Sequence, residues 1–111
     1  MVSIAEKTVT SRTATAACTV RFSNPDVIRL IRENQMKKGD VLGVARVAGI
    51  MAAKRTPDLI PLCHPIPISH VRVDVDIDDS SKPGNSIEVR ATVSCDGKTG
   101  VEMEALTAAS T

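Results

Sequence analysis

Leu59-Ile60-Pro61-Leu62-Cys63-His64-Pro65 sets a cysteine and a histidine side by side in a proline-framed segment. Proline stiffens the backbone, so His64 is held in one direction, as a proton donor or a phosphate ligand must be. The segment also admits a plainer reading, a buried and hydrogen-bonded histidine beside a core cysteine, and taken alone it favours that one. A thiolate pair between Cys63 and His64 is disfavoured, because adjacent side chains in an extended segment point apart. Cys18, Cys63, Cys95, His64 and His70 stand at none of the short spacings of structural zinc sites, so neither a metal nor another cofactor is expected.

Two more clusters carry charge. Gly97-Lys98-Thr99 lies between a strand pattern and a helix pattern, like the end of a P-loop, but Thr92 stands where that loop requires a glycine. What remains is a lysine and a hydroxyl at a helix N-terminus, which favours an anion, or else an exposed turn lysine with a structural cap. Glu102 and Glu104, two apart on a helix, point to different sides and do not act at one point. Glu102 reads as a cap; Glu104 reads as a carboxylate that reaches across an interface to hold a basic partner or to serve as acid or base. Lys38, Lys54 and Arg55 bracket a helix and would suit a polyphosphate, lysine as a point charge and arginine as a fork, although each alone also reads as a solvated helix end.

The elements that must position these groups follow from patterning. Arg12 to Phe22 is rich in β-branched residues and free of Gly and Pro, which predicts a strand ending at Asn24-Pro25. Asn24 then caps a helix to about Gln35, with Pro25 in its first turn and Val27, Leu30 and Ile31 on one face. Lys37-Lys38-Gly39-Asp40 breaks the chain, and Asp40 caps a second helix from Val41 to about Lys54. Its Gly43, Ala45, Ala48, Gly49, Ala52 and Ala53 predict close approach to a sheet or a second subunit. Pro57, Pro61, Pro65 and Pro67 prevent a long helix next. Alternation in His70 to Asp78 and again in Ile87 to Cys95, across a turn at Ser80 to Asn85, predicts an antiparallel hairpin. Thr99 and Glu102 have the spacing of a capping box for a third helix beginning near Val101, which reaches Thr111 without a stop signal.

The chain has 111 residues, 42% hydrophobic and 24% charged, which suits one soluble domain. Trp and Tyr are absent and there is one Phe, so the core is thin and oligomerisation is the expected source of further burial. A net charge of +1 argues against nucleic acid and anionic membrane as partners. Cations between Arg29 and Arg55, set against the acidic run Asp74, Asp76, Asp78 and Asp79, favour a local anion site. Three cysteines without a CxxC pair read as reduced thiols. No apolar run reaches membrane-spanning length, and residues 1–18 lack the core of a secretory signal. Their Ser, Thr and Ala with Lys7 and Arg12 keep an organellar transit peptide open, so the expected location is cytoplasmic, or the mitochondrial matrix in a eukaryote.

Lys38-Gly39-Asp40, Ala48 to Thr56, Leu59 to Pro65 and Lys98 to Ser110 together resemble the cyclic pyranopterin monophosphate synthase family of molybdenum-cofactor biosynthesis, in family order and spacing. Met1-Val2 also resembles that family's opening, with Ser3 in place of Asp. The resemblance implies a ferredoxin-like α+β fold, an antiparallel sheet packed with helices, and a dimer-based homohexamer with active sites at dimer interfaces. It implies a lyase that converts 3′,8-cyclo-7,8-dihydro-GTP, the cyclised GTP intermediate made by a radical SAM cyclase, into cyclic pyranopterin monophosphate with release of pyrophosphate. Lys38, Lys54 and His64 match catalytic positions, and Glu102 and Glu104 match an acidic pair; Cys63, His64 and Lys98 are expected beside them in substrate binding. A late Asp and Lys of the family lie beyond Thr111. Residues 1–111 are therefore expected to form one domain, truncated at the C-terminus relative to the family, that makes no product by itself. The rival reading is a non-catalytic nucleotide- or protein-binding ferredoxin-like module. An RNA-binding domain of similar topology fits poorly, because the hairpin strands carry no aromatic residue on which bases would stack.

Overall fold

The computed structural model describes residues 10–24, 26–33, 40–61, 63–78, 85–97 and 99–111. Within them run β1 (Thr10–Arg21), α1 (Asp26–Arg32), α2 (Val41–Lys54), α3 (Thr56–Leu59), β2 (Ile68–Asp78), β3 (Ser86–Gly97) and α4 (Glu102–Ser110). Expectations placed on Met1-Val2, Pro25, Gln35, Lys37 to Gly39, Leu62, the turn at 80–84 and Lys98 lie outside the described residues.

The three strands form one antiparallel sheet in the order β1-β3-β2. β2 and β3 are the expected hairpin, and β3 is central because it pairs with β1 on its other side. This order, with helices between β1 and β2 and after β3, is the α+β arrangement that the resemblance implies. Alternation sorts the side chains as read. Val73 and Val75 on β2 and Ile87, Ala91, Val93 and Cys95 on β3 are buried on one face, with Ala14 and Ala16 of β1 packed beside them. On the other face Thr13 pairs with Ser94 at 3.0 Å and Thr15 with Thr92 at 3.1 Å, flanked by the ion pairs Arg72–Asp74 and Arg90–Glu88. Such exposed pairs add little stability, but they keep that face polar.

Helices cover the apolar face. α4 lies over β1 and β3, and α2 lies over β2 and against α4. The small side chains of α2 serve this close approach: Gly49, Ala52 and Ala53 are buried, and at Gly49 the backbone of Ala108 and the side chain of Val73 leave little space. Arg46 Nη2 donates to the carbonyl of Val75 at 3.4 Å, tying α2 to β2, an edge strand among the described residues.

The caps show where local signals hold. Asn24 Oδ1 accepts from the Asp26 amide at 2.9 Å and Asp40 Oδ1 from the Gly43 amide at 3.0 Å, so both expected N-caps form. The Thr99–Glu102 capping box does not. α4 starts at Glu102 with Val101 as N-cap and no side-chain cap bond. Val101 is 1% exposed, and its burial sets the N-cap two residues beyond Thr99. Pro57 opens the one-turn helix α3, a place where its missing amide costs nothing.

Candidate active site

The extended segment after α3 and the start of α4 face each other across a cleft of about 480 Å³. Cys63, His64 and Pro65 line one wall, and Glu102, Met103 and Glu104 the other; Asp96, Gly97, Thr99 and Gly100 close the end where β3 passes into α4. Position 63 and position 104 are separated by 41 residues of chain, yet Cys63 Sγ donates to Glu104 Oε2 at 3.5 Å.

Glu104 is 2% exposed, so its carboxylate is nearly stripped of water. In the single chain it turns inward to Cys63, because the first turn of α4 packs on the sheet and leaves its inner side in the core. Glu102 takes the opposite side, as expected of residues two apart: it is exposed and its carboxylate folds back over Gly100. A side chain at Gly100 would collide with that carboxylate. Burial pushes the Cys63 thiol above its ordinary range, and the hydrogen bond to Glu104 and that residue's negative charge raise it further. A protonated thiol is therefore the resting form. Cys95, buried on β3, is raised mainly by burial, with Asp96, Glu104 and Glu102 adding to the rise and Arg12 opposing it.

His64 is exposed, which sets aside the reading of a buried core histidine. The prolines at 65 and 67 keep this segment extended, so its side chain stands at the cleft surface where a substrate can meet it. Lys54 is exposed at the end of α2 and borders a different, shallow depression with Ser69 and His70. Arg55, also exposed, lines a third hollow with Asp58 and Leu59. Lys38 and Lys98 lie outside the described residues. One chain thus brings Cys63, His64, Glu102 and Glu104 together and leaves Lys54 and Arg55 outside their cleft.

Two residues at this end of the sheet escape the sequence reading. Asp96 lines the cleft as a third carboxylate. Arg12 pairs in register with Cys95, and its Nε is buried without a hydrogen-bond partner among the described residues. A signal for Arg12 existed: it shares the inward face of β1 with Ala14, Ala16 and Cys18, where a charge is out of place. Among the described residues no three His, Cys, Asp or Glu side chains converge as metal ligands, and no helix is long and apolar enough to cross a membrane.

Comparison with known proteins bears on the same segments. A cyclic pyranopterin monophosphate synthase from Nocardioides sp. is 57% identical over 110 residues, covering 99% of this chain and 66% of the relative. That of Jannaschia sp. is 54% identical over 111 residues, covering 100% of this chain and 66% of the relative. That of Parvibaculum lavamentivorans is 56% identical over 110 residues, with 99% and 66% covered. The chain thus spans about two thirds of the length of these curated relatives. The MoaC family profile matches residues 1–111, across both segments that build the cleft. With the four sequence motifs, the α+β sheet order and more than half identity along its whole length in agreement, the chain belongs to the MoaC family.

Proposed function

We propose that this chain supplies part of the active site of a cyclic pyranopterin monophosphate synthase, whose reaction is rearrangement of 3′,8-cyclo-7,8-dihydro-GTP to cyclic pyranopterin monophosphate, with loss of pyrophosphate. The observation that carries the proposal is the convergence of Cys63-His64 and Glu102–Glu104 on one cleft, from segments far apart in sequence. That rearrangement moves protons while the pterin ring forms. It also gathers charge on the phosphates as the α-phosphate closes into a ring and the β,γ-pyrophosphate departs. An exposed His64 at the cleft wall is placed to pass a proton, and Lys38 and Lys54 supply fixed positive charge. None of these steps requires an electron to be transferred.

Lys54 stands outside the His64 cleft of its own protomer, which supports a site completed between copies in a dimer-based hexamer. A radical SAM cyclase acting on GTP supplies the substrate, and the reaction is placed in the compartment of that enzyme. The test is product formation from the cyclised nucleotide by the protein that carries this chain. Lys38→Ala and His64→Ala each abolish product while leaving fold and oligomer intact, and Glu88→Gln, on the exposed sheet face, does not. Near-normal turnover by either alanine variant removes that residue from the site; no turnover by the unaltered protein removes the proposal.

A further inference from the structure

β2 begins with an irregularity that changes which way its side chains face. Ile68 pairs with Cys95 and His70 with Ser94, so Ser69 is an extra residue with no partner in register. Ile68 and Val71 are three apart and would face opposite sides of a regular strand, yet both pack against the core. The bulge absorbs the odd residue and leaves Ser69 and His70 exposed. Ser69 Oγ donates to the Ser94 carbonyl at 3.1 Å, which ties the bulge to β3.

The end of α2 lies beside this bulge. Ile50 and Lys54 of the helix and Ile68, Ser69, His70 and Val71 of the strand line a depression of about 230 Å³. No carboxylate lines it, whereas Asp96, Glu102 and Glu104 surround the His64 cleft. Among the described residues Lys54 and His70 make no hydrogen bond or ion pair, while Arg72, two residues along the same strand, is held by Asp74. An ammonium and an imidazole with donors to spare therefore share one recess, which suits an oxyanion. Nothing in the spacing along the chain joins His70 to Lys54; the bulge brings it there by re-aiming the strand.

Resting on the function proposed above, which releases pyrophosphate, we infer that this recess is a second anion site, apart from the His64 cleft of the same protomer, where the departing pyrophosphate is held by Lys54 and His70. Lys54 supplies the fixed charge. His70 is the second donor, in either protonation state of its ring. Because both groups are exposed, the hold is weak and falls with salt, as release of a product requires. Inorganic phosphate meets the same two donors with less charge and binds less tightly.

The experiment is calorimetric titration of the protein with pyrophosphate and with inorganic phosphate at low salt, joined to proton NMR of the two imidazoles in this chain. Unaltered protein binds pyrophosphate more tightly than phosphate, and pyrophosphate shifts the ring signals of His70. His70→Ala weakens pyrophosphate by about threefold to fivefold, the size of an exposed charged contact, and His70→Lys keeps it within about twofold of the unaltered protein. Lys54→Met weakens it at least as much and removes the His70 shift. Arg72→Gln, which removes a cation near the recess but outside its lining, leaves the affinity within about twofold. Equal weakening by Arg72→Gln and His70→Ala overturns the inference, because the anion would then respond only to general positive charge; a shift of His64 without His70 overturns it too. Product formation with His70 unmoved by pyrophosphate removes this site and leaves the function standing. A His70 response without product formation removes the function, and with it the assignment of the recess to the leaving group.

Discussion

Replacing Gly49 with alanine sets two effects of similar size against each other, and the structure decides between them. In a helix interior the change gains about 1 kcal/mol, because alanine loses less conformational freedom on folding. Against that, a Cβ at position 49 would lie 3.2 Å from the Ala108 carbonyl oxygen and 3.2 Å from both γ-carbons of Val73. Favourable carbon contacts fall at about 3.5–4.0 Å, so three atoms must retreat together. Neither neighbour is free to do so: Val73 is buried on the sheet and Ala108 belongs to the backbone of α4. Overpacking of this kind costs about 1–3 kcal/mol. Gly49→Ala is expected to destabilise by about 1 kcal/mol net, and Gly49→Val, with two more methyl groups, by about 3 kcal/mol or more. Gly43→Ala is the matched control. Its Cβ meets only the Asp40 carboxylate, 2.5 Å away at Oδ2, and that side chain can rotate aside. The helix gain then offsets a lost cap worth about 1 kcal/mol, and stability stays within about 0.5 kcal/mol of the start. Urea unfolding followed by circular dichroism is the assay, since the chain has neither Trp nor Tyr to report by fluorescence. Stabilisation by Gly49→Ala comparable to the helix gain would show that α4 slides away from α2 easily, and the reasoning about their close approach would be wrong.

Thr56, 0% exposed, donates through Oγ1 to Ala52 at 3.1 Å and Ala53 at 3.0 Å, so Thr56→Val should cost about 1–2 kcal/mol in the same unfolding assay. Equal stability would mean that the hydroxyl's bonds only balance its burial. Glu104→Gln removes a negative charge that raises the Cys63 thiol, so site-resolved alkylation of Cys63 near pH 8 should speed up, with mass spectrometry separating it from Cys18 and Cys95; an unchanged rate would contradict the contact. Both Cys63 and Cys95 have raised values, so the folded state holds these protons more tightly than the unfolded chain does. Stability from this source is present below the ordinary thiol value of about 8.5 and is lost as pH rises past it. Alkaline unfolding midpoints should therefore fall less steeply in the double variant Cys63→Ala with Cys95→Ala, and identical slopes would refute the linkage.

Much of the scaffold is legible in one dimension because its physics is local. Period-two alternation in Val71, Val73, Val75 and Ile77 and in Ile87 to Cys95 marks which faces turn inward, since a strand has no other way to separate apolar from polar groups. Asn24 and Asp40 identify their helix starts because a cap bonds only two or three residues away. The motif residues around Cys63-His64 and Glu102–Glu104 are likewise visible as types and spacings. What the sequence by itself could not decide is everything that depends on burial between distant segments. The Thr99–Glu102 spacing is a valid local signal, but the burial of Val101 overrides it. Taken alone, the segment favours a buried His64, and only its path beside α4 exposes the side chain. Glu104 meets Cys63 because the sheet carries α4 over β1 and β3 and turns the helix's inner side toward a loop 41 residues earlier. Whether a carboxylate faces water, a partner or a thiol is set by which surface happens to lie opposite, and no spacing along the chain encodes that.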